Sequence, residues 1–257
     1  MSYRDVYRSW IENPYYDENT KAELMSIKDN EKEIEDRFYR ELEFGTGGMR
    51  GLIGAGTNRM NKYTIRKAAQ GLANWIKNQG TGNKGVAIAY DSRHCSDMFA
   101  METALVMASN NIKAYLFDEL RPTPELSFAV RYLRCSAGVV ITASHNPKEY
   151  NGFKVYSSDG CQLPPRESDE VINEVSAITD ISCIRCIGRE EAFEKGLIEL
   201  IGKEIDDAYI AELKKVCINP GIAREIGKST KIIYTPLHGT GNKPVRRILK
   251  EIGFEQV

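Results

Sequence analysis

The residues with the clearest chemical potential are Ser144, His145 and Lys154, with Arg50 far upstream in a glycine-rich run. A serine hydroxyl becomes a nucleophile or a phosphate carrier only beside a base, or beside cations that neutralise the transferred charge. His145 adjoins Ser144, but neighbours on an extended chain point opposite ways, and no Gly-x-Ser-x-Gly elbow surrounds the serine. A Ser-His-acid hydrolase is therefore the weaker reading, and fluorophosphonate labelling of Ser144 would test it. Lys154 and Arg50 are better suited to holding phosphate oxygens. The residue types thus point to Ser144 as a serine that carries phosphate.

The surrounding sequence supplies elements to position these groups. The apolar run Gly138-Val139-Val140-Ile141 leads straight into Thr142-Ala143-Ser144-His145-Asn146-Pro147, and a second extended run, Phe153-Lys154-Val155-Tyr156, follows Gly152. Two strands can therefore hold Ser144, His145 and Lys154 together. From Thr64 onward helical and extended patterns alternate: a helical face of Ile65, Ala68, Ala69, Leu72 and Ile76, the apolar strand Val86–Ala89, and a helix capped by Asp97. The strand Ile112–Phe117 and a helix begun by Pro124 complete the series. Such alternation predicts a three-layer α/β/α fold on a mixed, mostly parallel sheet, with ligands gathering at the carboxyl ends of the strands. Those ends are Tyr90–Arg93, Asp118–Thr123 and Thr142–Asn146, and all three are polar.

The run Gly45-Thr46-Gly47-Gly48-Met49-Arg50-Gly51 reads as a loop after a helical arm spanning residues 2 to about 43, in which Asp17 is a plausible N-cap. Its glycines free the backbone to turn N–H groups toward an anion, and Arg50 strengthens that reading. Neither the Walker-type nor the dinucleotide-type glycine pattern fits. A second glycine loop, Pro236-Leu237-His238-Gly239-Thr240-Gly241, follows an expected strand at Ile232–Tyr234 and precedes a helix from Lys243 to Ile252. Its glycine-rich setting makes His238 a further candidate, whereas His94 reads as a surface residue. Residues 179–202 show no clear pattern, and a domain boundary is expected near their end.

Bulk properties narrow the function classes. The 257 residues carry 35 Lys+Arg against 36 Asp+Glu, which gives no footprint for nucleic acid and no reason to expect a membrane surface as partner. No apolar run approaches the roughly 18 residues of a spanning helix. Six cysteines without framework spacing suggest reduced thiols and a cytoplasmic setting, and Cys183-x-x-Cys186 lacks the context of a zinc or redox site. Oligomeric state is not encoded in any pattern here.

Four segments together resemble the α-D-phosphohexomutases, the family of phosphoglucomutase and phosphomannomutase. These are Phe44–Gly51, Asp91-Ser92-Arg93, Thr142–Pro147 with Asn151-Gly152-Phe153-Lys154, and Pro236–Gly241, in the family's order. Glu43-Phe44-Gly45 and Gly54–Asn61 are most similar to the phosphoglucomutase/phosphopentomutase branch. The resemblance implies interconversion of glucose 1-phosphate and glucose 6-phosphate through phosphorylated Ser144 and a bisphosphorylated sugar that reorients without leaving. It implies that Arg50, Lys154 and His145 work beside Ser144, and that Gly47, Gly48, Arg93, Asn146 and His238 contact substrate or phosphate. It also implies Mg²⁺ ligated by the Ser144 phosphate, and glucose 1,6-bisphosphate as activator. The family's Asp-rich metal loop has no counterpart here, since Asp206-Asp207 falls in a helical pattern and reads as a solvated face. Residues 1–203 are therefore expected to form the first domain and 204–257 part of a second, with the remaining metal ligands expected beyond Val257 and no turnover by the fragment alone. Phosphomannomutase or phosphopentomutase activity, or a non-catalytic sugar-phosphate-binding module, are the alternatives.

Overall fold

The computed structural model describes residues 2–257. Three short helices, α1 (Tyr3–Glu12), α2 (Glu18–Ser26) and α3 (Glu31–Phe38), form the N-terminal arm. Asp17 caps α2, its carboxylate accepting the Thr20 amide at 3.0 Å. The arm has its own aromatic core, with Trp10 stacked on Tyr16 at 4.2 Å and Tyr7, Phe38 and Tyr63 around them. It is a satellite cluster beside the sheet, as its amphipathic pattern suggests.

Seven strands form one sheet in the order β1-β2-β6-β5-β3-β4-β7. They are β1 (Phe44–Gly45), β2 (Gly48–Leu52), β3 (Val86–Tyr90), β4 (Ala114–Phe117), β5 (Ala137–Ile141), β6 (Tyr150–Ser157) and β7 (Ile198–Ile201). The central β5, β3, β4 and β7 are mutually parallel, while β6 and β1 run against the rest. The mixed, mostly parallel sheet read from the alternating pattern is thus present. β3 and β5 are buried almost throughout, because α4 (Lys62–Asn78), α5 (Ser96–Ser109) and α6 (Thr123–Tyr132) pack over the sheet's faces. On α4 the expected face of Ile65, Ala68, Ala69, Leu72 and Ile76 is fully buried. The chain passes from β3 to β4 on one side and then returns to β5 on the other. The β3/β5 boundary is therefore where strand order reverses, the place where such sheets form a crevice.

Four local expectations are corrected. The glycine run is not a loop after a helix: α3 ends at Phe38, and residues 44–52 form a hairpin that adds to the sheet beside β6. Asp97 is not the cap of α5; Cys95 holds that position in a left-handed conformation (φ 63°) and Asp97 lies in the first turn. Residues 179–202 are more ordered than their pattern, containing a helix, α8 (Arg189–Glu194), and the edge strand β7; α7 (Pro165–Ser176) precedes them. Ile232–Tyr234 is not a strand; only an isolated bridge links Lys231 to Gln256, and Ile233 is 99% exposed. Apolar residues alone did not make a strand there: the pairing with the Gln256 segment stops at that one bridge and does not join the seven-stranded sheet.

The C-terminal elements differ from the rest in burial. In α9 (Lys203–Lys215), Ile205 and Ile210 are buried, and Ile205 shares a core with Ile201 and Leu126. α10 (Pro220–Gly227) buries only Gly227, and α11 (Asn242–Ile252) buries no residue. Val216, Ile218, Ile222, Ile226 and Leu237 are exposed. Among the described residues no helix is long and apolar enough to cross a membrane.

Candidate active site

Ser144 lies just past the carboxyl end of β5, exposed, with a left-handed backbone (φ 54°) that non-glycine residues adopt at a cost of about 1–2 kcal/mol. The loop is built to hold that conformation. Thr142 Oγ1 accepts the Ser144 amide at 2.9 Å and donates to Asp91 Oδ2 at 2.6 Å. Asp91, at the end of β3, also accepts from Ser96 Oγ at 2.7 Å and from the Arg93 amide at 3.0 Å. One half-buried carboxylate therefore ties β3, α5 and the serine loop together.

Lys154 reaches Ser144 from the neighbouring strand. Its register on β6 places it opposite Val140 of β5 and Gly48 of β2, and its Nζ donates to Ser144 Oγ at 3.0 Å. Burial, with Arg50 adding positive charge nearby, lowers the Lys154 pKa. A lysine so placed gives up its proton more readily than one in water. Arg50 extends from β2, and its NH1 donates to Asn146 Oδ1 at 2.9 Å. One cation therefore reaches the serine hydroxyl and a second is held on Asn146 of the same loop, an arrangement that favours charge arriving on that oxygen as phosphate.

Cavities flank this cluster on either side. One, of about 570 Å³, is lined by Asp91, Arg93, Thr142, Ser144, Asn146 and His238, with Arg121 and Lys148 at its margin. It opens at the carboxyl ends of β3, β4 and β5, as the topology requires. The other, of about 390 Å³, lies against the hairpin and is lined by Gly45–Arg50, Lys154 and Gln162. The Lys154–Ser144 and Arg50–Asn146 hydrogen bonds bridge the two.

The remaining sequence candidates fare differently. His238 lines the larger cavity, its loop held by Ser92 Oγ donating to the His238 carbonyl at 2.8 Å. His145 is exposed and lines neither cavity, so adjacency in sequence did not bring it to the Ser144–Lys154 pair. Gly47 and Gly48 border the smaller cavity, but their glycine character has a packing reason. The Gly47 amide donates to Ser168 Oγ at 2.7 Å, and a Cβ on Gly48 would fall 2.0 Å from the Phe153 carbonyl oxygen. The expected backbone nest for an anion is therefore corrected to a hairpin pressed against β6. Arg93 lines the larger cavity, but its NH1 and NH2 donors are spent on carbonyls of the serine loop. Arg121 and Lys148 join the site without having been singled out in the sequence, and Thr142, named there only as the start of the serine motif, gains a hydrogen-bonding role. The threonine was legible only as a residue two positions before Ser144, the spacing of a side-chain-capped turn.

The site does not supply a cage for a divalent cation. Among the described residues no three His, Cys, Asp or Glu side chains gather in metal-binding geometry, and the one acid at the larger cavity, Asp91, is engaged by Thr142, Ser96 and Arg93. Asp206, expected on a solvated face, is instead half-buried and paired with Arg121.

Residues 41–182, which carry the serine loop, Lys154, Arg50 and Arg93, match the phosphoglucomutase/phosphomannomutase α/β/α domain I. The chain belongs to this family. It is 42% identical over 224 residues to a phosphoglucomutase of Staphylococcus haemolyticus, covering 87% of this chain and 39% of that protein. A Staphylococcus aureus phosphoglucomutase is 40% identical over 231 residues, covering 89% and 40%. Among solved structures, one from Thermus thermophilus, described provisionally as a phosphomannomutase, aligns with a TM-score of 0.67 at 25% identity. That alignment covers 84% of this chain and 45% of that one. Parafusin of Paramecium, a phosphoglucomutase in its open form, shares the fold with a TM-score of 0.64 at 16% identity, over 83% and 42% of the two chains. The chain thus spans about two fifths of the length of the curated relatives it matches.

Proposed function

We propose that this chain is the serine-bearing part of a phosphoglucomutase that interconverts glucose 1-phosphate and glucose 6-phosphate. The observation that carries the reading is Lys154 Nζ at 3.0 Å from Ser144 Oγ, with Arg50 anchored alongside on Asn146. In the forward half-reaction the sugar hydroxyl attacks the phosphorus of phosphorylated Ser144. The O6–P bond forms, the Oγ–P bond breaks, and the hydroxyl proton passes in net to Ser144 Oγ. The bisphosphorylated sugar then reorients and returns its other phosphate to Ser144 with the proton moving back. Lys154 stabilises the departing Oγ through the hydrogen bond it already makes, and Arg50 attracts the phosphate oxygens. His238 and Asn146 border the space a sugar phosphate would enter.

Glucose 1,6-bisphosphate as activator belongs to the same reading, since it would phosphorylate an unmodified Ser144. So does Mg²⁺, to which Ser144 would offer one ligand through its phosphate. Among the described residues, no three His, Cys, Asp or Glu side chains gather to complete its coordination. Residues 1–203 are read as the first domain and 204–257 as the opening of a second, consistent with the exposed Val216, Ile218, Ile222 and Ile226. A cytoplasmic location accords with six unpaired cysteines.

The test is intact-mass spectrometry with phosphosite mapping after incubation with glucose 1,6-bisphosphate, in a protein of the relatives' length. A gain of one phosphate on Ser144, lost in Ser144→Ala together with mutase activity, is the expected result; phosphate elsewhere or nowhere overturns the reading. Comparing glucose, mannose, ribose and deoxyribose 1-phosphates as substrates separates the phosphoglucomutase assignment from its phosphomannomutase and phosphopentomutase alternatives.

A further inference from the structure

Arg93 has a donor count that decides its role. A guanidinium has five N–H donors in a rigid planar fork. Here NH1 donates to the carbonyls of Pro147 (2.8 Å) and Tyr150 (2.9 Å), and NH2 to those of Ser144 (2.9 Å) and Asn146 (2.6 Å). The fifth donor, on Nε, faces Asp91 Oδ2 at 3.4 Å. All five are directed into the protein, and the side chain is only 13% exposed. Binding a phosphate would require Arg93 to release a carbonyl of the loop that holds Ser144.

The loop in turn needs such a partner. Four carbonyls between Ser144 and Tyr150 converge on one point, and without a cation there their dipoles would repel and turn toward water. Ser144 itself is left-handed, with its amide held by Thr142. Thr142 and Arg93 both join Asp91, so the clamp reaches the serine from its amide side and its carbonyl side through a single carboxylate.

We propose that Arg93 is a positioning residue that fixes the left-handed conformation of Ser144 from behind the loop, and does not contact the transferred phosphate. The inference rests on the proposed role of Ser144 as phosphate carrier. It predicts that loss of the fork slows transfer at Ser144 while leaving sugar-phosphate binding nearly intact, because a displacement of about 1 Å at a reacting atom costs about 100-fold. Lysine cannot substitute, since one ammonium presents three donors at a point and cannot span four carbonyls.

The experiment compares wild type, Arg93→Lys and Arg93→Ala in a protein of the relatives' length, by two readouts. The first is Ser144 phosphorylation by glucose 1,6-bisphosphate and steady-state turnover. Expected are a fall of about 100-fold in kcat for Arg93→Lys with KM within about threefold, and partial recovery of Arg93→Ala on adding guanidinium. A change in KM alone, or full activity in Arg93→Lys, would overturn the proposal. The second readout is hydrogen exchange of the Ser144 amide, expected to quicken at least tenfold in Arg93→Lys while amides of β3 stay protected. Unchanged exchange at Ser144 overturns the clamp, and so does equal loss of protection throughout the fold. If wild-type Ser144 takes up no phosphate, the phosphoserine reading fails, whereas the exchange result still decides whether Arg93 holds the loop.

Discussion

The two glycine-rich segments, residues 45–51 and 236–241, look alike as sequence and are opposites as structure. The first is a hairpin added to the sheet, with Gly48 opposite Lys154 and too close to the Phe153 carbonyl to tolerate a side chain. The second has no sheet partner: Leu237 is 81% exposed with φ 50°, and a Cβ on Gly239 would meet nothing nearer than the Pro236 carbonyl at 3.1 Å. At the cavity it is tied to the loop after β3 by the Ser92–His238 hydrogen bond. Glycine in the first segment permits close packing against the backbone of β6, whereas in the second the nearest obstacles are local, the Pro236 carbonyl for Gly239 and the Tyr234 hydroxyl for Gly241. A rigid face carrying Arg50 and Lys154 is thus set against a lightly tethered one carrying His238.

The contrast can be broken at its rigid side first. Lys154→Ala removes the cation at Ser144 Oγ and is expected to lower phosphoryl transfer by about 10²–10⁴-fold, with the thermal midpoint nearly unchanged; rapid-quench measurement of Ser144 phosphorylation checks this. Gly48→Ala should destabilise by about 3 kcal/mol or more, combining a positive-φ strain of about 1–3 kcal/mol with the clash against Phe153. Denaturant unfolding reads it, and tolerance of alanine at Gly48 would refute the packing role. The matching Gly239→Ala is expected to cost less than Gly48→Ala, because the added Cβ would meet only the Pro236 carbonyl, at 3.1 Å, without positive-φ strain.

How the lightly tethered side is rooted can be sharpened by pH. Glu125 of α6 is buried and carries an unpartnered Oε2, and it lies among Arg121, Asp206, Asp207, Arg247 and Tyr209 at the contact with α9. Burial, reinforced by Asp206, pushes its carboxyl up to about 8. The folded state therefore holds this proton more tightly than the unfolded chain. The associated stability is full below the ordinary carboxyl range near 4.5 and declines as pH rises toward 8. Glu125→Gln keeps a donor without the charge, so its unfolding midpoint should lie above that of wild type at pH 9 and converge with it near pH 5. A constant difference across that range would contradict the assignment. The smallest effect is expected from Ser92→Ala, which removes one exposed hydrogen bond worth about 0.5–1.5 kcal/mol and should raise KM for the sugar phosphate by a few-fold with kcat retained.

What is legible in the sequence follows a physical rule. Local signals suffice where the chain decides its own conformation: the Asp17 cap, the α4 face, the buried run of β5 and the strand-to-loop switch at Ser144 all depend on spacing within a few residues. So does the pairing of Ser144 with Lys154, because a short antiparallel return from β5 to β6 leaves few ways to place them. Local signals mislead where an outcome depends on a distant partner. Residues 44–52 became strands because β6 offered an open edge, and Ile198–Ile201 because β4 did, whereas the equally apolar Ile232–Tyr234 meets only a single bridge at Gln256. His145, adjacent in sequence, is exposed beyond the left-handed Ser144, whose amide is held by Thr142 of its own loop and, through Thr142, by Asp91 at the end of β3.

By itself, then, the sequence determined that a serine would stand at a sheet's carboxyl edge with a lysine and an arginine available to it. Family motifs placed that serine in a segment resembling the phosphohexomutase serine loop. Only the tertiary structure decided which charged groups face it. Arg50 and Arg93 are indistinguishable as residue types, yet Arg50 makes a single side-chain hydrogen bond at the cavity wall while Arg93 is consumed by four backbone carbonyls and Asp91. The reason is that a guanidinium's role depends on how many of its donors the fold has already engaged. That count is settled by loops brought together from β3 and β5, which no local pattern records.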